Sequence, residues 1–168
     1  SLGTALTQDQ IEILWRLAPE PVLCFDGDVA GRKAAILAAT KAIPILRPGY
    51  SLRFAILPEG EDPDSIIKLF GSKNMQILLD EAISLNNLIW WKELNLVKVD
   101  SPDREAGLKS RLNNIANSIN DKIVKEAYQN DFNNKFNQEF RSNSLKYKKQ
   151  NSFSEKKLYR VNDQFYSK

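Results

Sequence analysis

Two aspartates separated by one glycine, Asp26-Gly27-Asp28, directly follow the apolar run Val22, Leu23, Cys24 and Phe25. If that run is a strand, both carboxylates leave its carboxyl end together, and Gly27 lets the backbone turn them towards one point. Carboxylates so placed repel each other unless a cation lies between them. Magnesium or manganese suits such a position: each takes hard oxygen ligands, keeps several waters, and is held by one or two carboxylates plus substrate phosphates. Asp-Gly is also a common turn, so a lone pair of this kind is structural more often than not.

The neighbouring residues shift that balance. Asp28 is followed by Val29-Ala30-Gly31-Arg32-Lys33 and then a helical pattern, so the start of a helix dipole and two cations lie beside the carboxylates. Arg32 and Lys33 are the candidate phosphate-binding residues. A second acidic run, Glu59-Gly60-Glu61-Asp62-Pro63-Asp64, repeats the two-residue spacing in Asp62 and Asp64, with Pro63 stiffening the backbone between them. If Asp26, Asp28, Asp62 and Asp64 converge, they form a polyphosphate-handling site in which metal ions bridge phosphate oxygens and offset the charge of an in-line displacement. The nucleophile is then a substrate hydroxyl or water; Glu59 and Glu61 have weaker claims to the site.

These loops need a scaffold, and the pattern supplies one. Thr7 with Gln10 fits a capping box opening a helix over 8–17. Residues 22–25 and 52–57 read as strands, and between them 30–45 form a helix whose Ala35, Ala38 and Ala42 allow close packing on a sheet. Strand, helix, strand is a parallel βαβ unit, and sites in such sheets form beyond the carboxyl ends of the strands, where both acidic runs fall. The rest reads as helices over 65–70, about 75–97 and from Ser101-Pro102 onward, with no further strand. Leu108, Leu112, Ile115 and Ile119 on one helix and Tyr128, Phe132, Phe136 and Phe140 on the next predict an antiparallel pair with these residues as core. The fold class is therefore α/β, a βαβ parallel-sheet unit followed by a helical bundle. From residue 142 the chain is polar, basic and without a period, the composition of a disordered tail.

Composition closes several routes. One cysteine and no histidine among 168 residues exclude zinc sites, disulfide frameworks and histidine acid/base chemistry, so any metal is held by oxygen. The net charge of +3 divides unevenly, −3 over residues 1–100 and +6 over 101–168, the excess lying in 141–168. Such a segment attracts phosphate without specificity and with strong salt dependence. No run approaches the length of a membrane span, and the first residues lack a signal peptide's pattern, which predicts a cytoplasmic protein without a membrane partner.

The run FDGDVAGRKAA, residues 25–35, resembles the aspartate-pair motif of the Toprim fold, shared by bacterial primases, topoisomerases and some nucleases. SLGTALT at 1–7, LPEGEDPDS at 57–65 and the helical stretch from Trp90 to Phe140 resemble the bacterial replicative DNA primases specifically. The resemblance implies a partial Toprim domain over 1–70, a helical subdomain over 71–141 and a tail over 142–168, together the carboxyl-terminal part of a primase catalytic domain. It implies Asp26 and Asp28 as catalytic metal ligands, Asp62 and Asp64 as acidic residues supporting a second ion, and Mg²⁺ or Mn²⁺ as cofactor. The implied reaction is template-directed synthesis of short RNA primers. Its implied partners are a single-stranded DNA template, ribonucleoside triphosphates and the RNA–DNA hybrid, with a replicative helicase contacted through regions absent here, in a bacterial, nucleoid-associated setting. The Toprim glutamate expected upstream of SLGTALT is missing from the sequence, as are a zinc-binding domain and the basic lobe, so the chain is expected to be inactive alone.

Three alternatives fit parts of the pattern. In a haloacid dehalogenase-type phosphatase Asp26 would be the nucleophile and Val29 fits, but Lys68 falls on the wrong side of Asp62 and Asp64. Another Toprim enzyme, a topoisomerase or nuclease, would share Asp26 and Asp28. A non-catalytic nucleic-acid or protein binding fragment would use the helical end and the basic tail.

Overall fold

A computed structural model describes residues 6–58, 60–61 and 63–140. Asp62, Glu59, residues 1–5 and the segment 141–168 read as a tail lie outside the described residues.

The first helix, α1, spans Gln8–Leu17 as the capping box predicts: Thr7 Oγ1 accepts from the Gln10 amide at 3.2 Å, and the Gln10 side chain accepts from the Thr7 amide at 2.9 Å. It buries Ile11 and Trp15, and the Trp15 indole N–H donates to the Ser51 carbonyl at 2.8 Å, tying α1 to the entry of the second strand.

Strand β1, Val22–Phe25, runs parallel to β2, Arg53–Ile56, with Val22 opposite Arg53 and Phe25 opposite Ile56. Helix α2, Val29–Ala42, makes the crossover between them and continues into a 3-10 turn, Ile43–Ile45. Ala35, Ala38, Ala39 and Ala42 are buried, so the alanine stripe brings α2 close to the sheet.

After β2 come α3, Pro63–Phe70, and α4, Ser72–Asp80. The single helix expected over about 75–97 does not form. The chain ends α4, lays down a two-residue strand β3, Ile83–Ser84, antiparallel to β2, and starts again as α5, Leu85–Leu96. The break has a tertiary cause. Arg53 on β2 donates through Nη2 to the carbonyls of Asp80 and Ala82, both at 2.9 Å, satisfying the end of α4 and drawing the next residues against the sheet. The sheet is therefore mixed, in the order β1-β2-β3, and the outer edge of β1 carries no strand among the described residues.

Helices α6, Pro102–Asn117, and α7, Lys122–Phe140, pack on each other as the apolar spacing predicts. Leu108, Leu112, Ile119, Phe132 and Phe136 are buried, with Ile115, Tyr128 and Phe140 packed against them, so the aromatic stripe is core. That core is continuous with Trp15, Phe54 and the α2 alanines. A smaller cluster of Leu57, Ile66 and Leu78 seats α3 and α4 at the carboxyl end of β2.

Candidate functional site

The carboxyl ends of β1 and β2 are locked in step, because the Leu57 amide donates to the Phe25 carbonyl at 2.8 Å. Asp26 and the second acidic loop therefore leave neighbouring strands from the same edge. Along β1 the next three residues alternate in burial: Asp26 is exposed, Gly27 is buried and Asp28 is exposed. The glycine turns inward while both carboxylates face solvent.

The first turn of α2 grips each residue of this corner. Asp28 is the helix N-cap, its Oδ1 accepting from the Gly31 amide at 2.6 Å while its carbonyl accepts from the Arg32 amide at 3.1 Å. Arg32 donates through Nε to the Gly27 carbonyl at 3.0 Å. Gly31 packs on the Asp26 backbone so tightly that a Cβ there would overlap the Asp26 carbonyl oxygen, and would lie 2.8 Å from its carbon and 2.9 Å from its nitrogen. Gly31 and the Arg32–Gly27 contact are the features of this corner that the residue pattern did not single out. A glycine in the first turn of an otherwise alanine-rich helix was the available signal.

The second loop turns at Pro58, whose carbonyl accepts from the Glu61 amide at 3.2 Å, with Gly60 at φ 83°, a conformation glycine takes without a Cβ penalty. Asp64 lies in the first turn of α3, solvent-exposed, and pairs with Lys68 at 2.5 Å. Among the described residues no three carboxylates come together closely enough to form a metal-binding group. Asp26 and Asp28 thus share one exposed corner on either side of Gly27, Asp64 is paired with Lys68, and Asp62 lies outside the described residues.

Two exposed carboxylates on a rigid corner are a hard-oxygen donor set that fits a divalent cation taking the rest of its shell from water and phosphate. One oxygen of Asp28 is engaged with the Gly31 amide, leaving the other, with both oxygens of Asp26, as donors. Lys33 is exposed on the same first turns of α2, and Arg32 is half-buried.

A Toprim-like family model matches residues 1–67, the span that carries β1, the corner, α2, β2 and the second loop. The DNA primase of Rickettsia typhi is 35% identical over 128 residues, which are 76% of this chain and 22% of that protein. The DNA primase of Escherichia coli K12 is 36% identical over 110 residues, 66% of this chain and 19% of that protein. The chain belongs to the bacterial DNA primase family. It spans about a fifth of the length of these curated relatives. Solved structures agree at the level of the primase catalytic core. The Escherichia coli primase catalytic core superposes with a TM-score of 0.73 at 31% identity, covering 81% of this chain and 44% of that one. A primase catalytic domain bound to single-stranded DNA superposes with a TM-score of 0.72 at 30% identity, covering 80% of this chain and 43% of that one. The Toprim fold is thereby established, and with it the general use of divalent metal in this family. No helix among the described residues is long and apolar enough to cross a membrane.

Proposed function

We propose that this chain supplies the aspartate-pair half of a primase active site, in which RNA primers are made on single-stranded DNA from ribonucleoside triphosphates. The observation that carries the reading is the corner itself: two solvent-facing carboxylates at a strand end, with a helix start and two cations beside them. Asp26 and Asp28 hold the divalent cation, Mg²⁺ or Mn²⁺, which when bound supplies positive charge against triphosphate oxygens and activates a hydroxyl for attack. Lys33 and the Nη groups of Arg32 receive phosphate beside it.

Asp62 and Asp64 support a second cation. For Asp64 this requires release from Lys68, an exposed i,i+4 pair worth about 0.3–0.5 kcal/mol, which a phosphate-bound cation readily displaces. The outer edge of β1, which carries no strand among the described residues, is where a further strand with the upstream Toprim glutamate would complete the site. The partners are the DNA template and the growing RNA–DNA hybrid; that a related primase catalytic domain is bound to single-stranded DNA supports the DNA partner. Helicase contact and nucleoid association belong to the whole primase.

The test is a chimera in which residues 1–140 replace the matching segment of the Escherichia coli catalytic core. Primer synthesis on single-stranded DNA that is abolished by Asp26→Asn with Asp28→Asn supports the reading. A folded chimera that makes no primer, or one indifferent to the double substitution, contradicts it.

A further inference from the structure

We propose that Arg32 is a positioning residue for the aspartate pair, holding the two carboxylates in metal-binding geometry through the carbonyl of the glycine between them. This rests on the reading of the Asp26-Gly27-Asp28 corner as a divalent-cation site and goes beyond it by giving Arg32 a task independent of phosphate.

Gly27 is buried between two exposed aspartates, so its carbonyl cannot rely on water and needs a protein donor. The Gly31 and Arg32 amides do not provide one, because both are already directed at Asp28, Gly31 to its side chain and Arg32 to its carbonyl. The Arg32 side chain closes the gap, its Nε reaching the Gly27 carbonyl at 3.0 Å. Asp26 is fixed by the steric seat of Gly31, Asp28 by the helix cap, and Gly27 by Arg32 alone among side chains of the described residues. Without that bond the peptide between Gly27 and Asp28 loses its side-chain anchor, and the relative direction of the two carboxylates is held by the helix cap and the seat of Gly31 alone. Arginine suits the task because its planar fork presents Nε in a fixed direction while keeping other N–H groups available.

Charge and geometry make opposite predictions for this residue. A guanidinium beside a cation site repels the cation, so if Arg32 acted only as a charge, or only on phosphate, its removal would leave metal binding unchanged or tighter. If Arg32 positions the carboxylates, its removal weakens metal binding despite removing a positive charge, as groups that orient metal ligands typically do by about 10–100-fold.

The experiment is calorimetric titration of Mn²⁺ alone, without nucleotide, into the full chain, its Arg32→Met and Arg32→Lys variants, and Asp26→Asn with Asp28→Asn as the blank. All titrations are made well below the thermal unfolding midpoint of every variant, so that the folded fraction does not enter the affinity. The expected result is Mn²⁺ binding weakened about 10-fold in Arg32→Met. In Arg32→Lys, whose ammonium keeps the charge but not the Nε direction, it is weakened at least about threefold. Unchanged or tighter binding in Arg32→Met overturns the positioning role while leaving the metal corner in place. If Arg32→Met does not fold, Arg32→Lys decides alone by the same criterion. A wild-type titration no different from the blank overturns the metal reading itself, and the positioning role with it.

Discussion

Gly31 stands so close to Asp26 that a Cβ at position 31 would overlap the Asp26 carbonyl oxygen. This contact sets α2 directly on the backbone of the first candidate metal ligand, with no side chain between. Helix propensity alone predicts that Gly31→Ala stabilises the chain by about 1 kcal/mol. The contact predicts the opposite: a loss of about 1–3 kcal/mol, because backbone must move to admit the methyl group. Urea denaturation of the two proteins gives the sign.

Asp28 carries two loads that chemistry can separate. As N-cap it accepts from the Gly31 amide, and as the proposed metal ligand it has its remaining oxygen to offer. Asparagine caps as well as aspartate, so Asp28→Asn should change stability by less than about 0.5 kcal/mol while removing metal affinity. Asp28→Ala should lose metal affinity and about 1 kcal/mol of stability. Thermal melts in metal-free buffer beside Mn²⁺ titrations distinguish the two variants.

The most buried charge among the described residues lies outside both acidic runs. Glu93 on α5 is 2% exposed and accepts from Arg111 Nε at 2.8 Å and Lys92 Nζ at 2.6 Å, while Arg111 also donates to the Glu93 carbonyl at 3.0 Å. This pair fastens α5 to α6. Arg111→Ala strands a buried carboxylate with only Lys92 beside it and should cost about 3 kcal/mol. Glu93→Leu leaves two partly exposed cations free to reach water and should cost less than Arg111→Ala. Denaturant midpoints for the two variants check the order.

Tyr128 predicts a feature of the alkaline limb. Burial, followed by the charge of Asp131 and a smaller push from Glu20, raises its phenol well above the ordinary value, with a hydrogen bond from Ser51 opposing. The folded chain therefore holds this proton more tightly than the unfolded chain. Its contribution to stability is whole below about pH 10, where the phenol is protonated in both states, and is lost as pH rises beyond that value. In Tyr128→Phe, stability should fall less steeply between pH 10 and 11.5 than in the wild type, as measured by urea denaturation at each pH.

Local signals carried most of the scaffold. Thr7 and Gln10 announce α1, the run 22–25 announces β1, and the four-residue steps from Tyr128 to Phe140 announce a core helix, because each pattern is written within a few residues of what it builds. The strand β3 was not legible for the converse reason. Ile83 and Ser84 are strand only because they lie opposite Phe54 and Arg53, thirty residues earlier, and no period survives in two residues. The aspartate pair was legible as a candidate, and its placement beside α2 follows from the chain order alone. What holds it was not: the Arg32–Gly27 bond and the seat of Gly31 depend on how tightly the first helical turn folds back on the strand end. The role of Glu93 was equally hidden, since a lysine-glutamate pair in a helix usually marks a solvated face.

The central claim is that Asp26 and Asp28 form a divalent-cation site at the end of β1. Paramagnetic broadening of amide NMR signals by substoichiometric Mn²⁺ tests it most directly. The expected result is selective broadening of Asp26, Gly27, Asp28 and the first turn of α2, abolished by Asp26→Asn with Asp28→Asn. Broadening that survives the double substitution, or that spreads over exposed acidic positions such as Asp100 and Asp103 without favouring the corner, would contradict it.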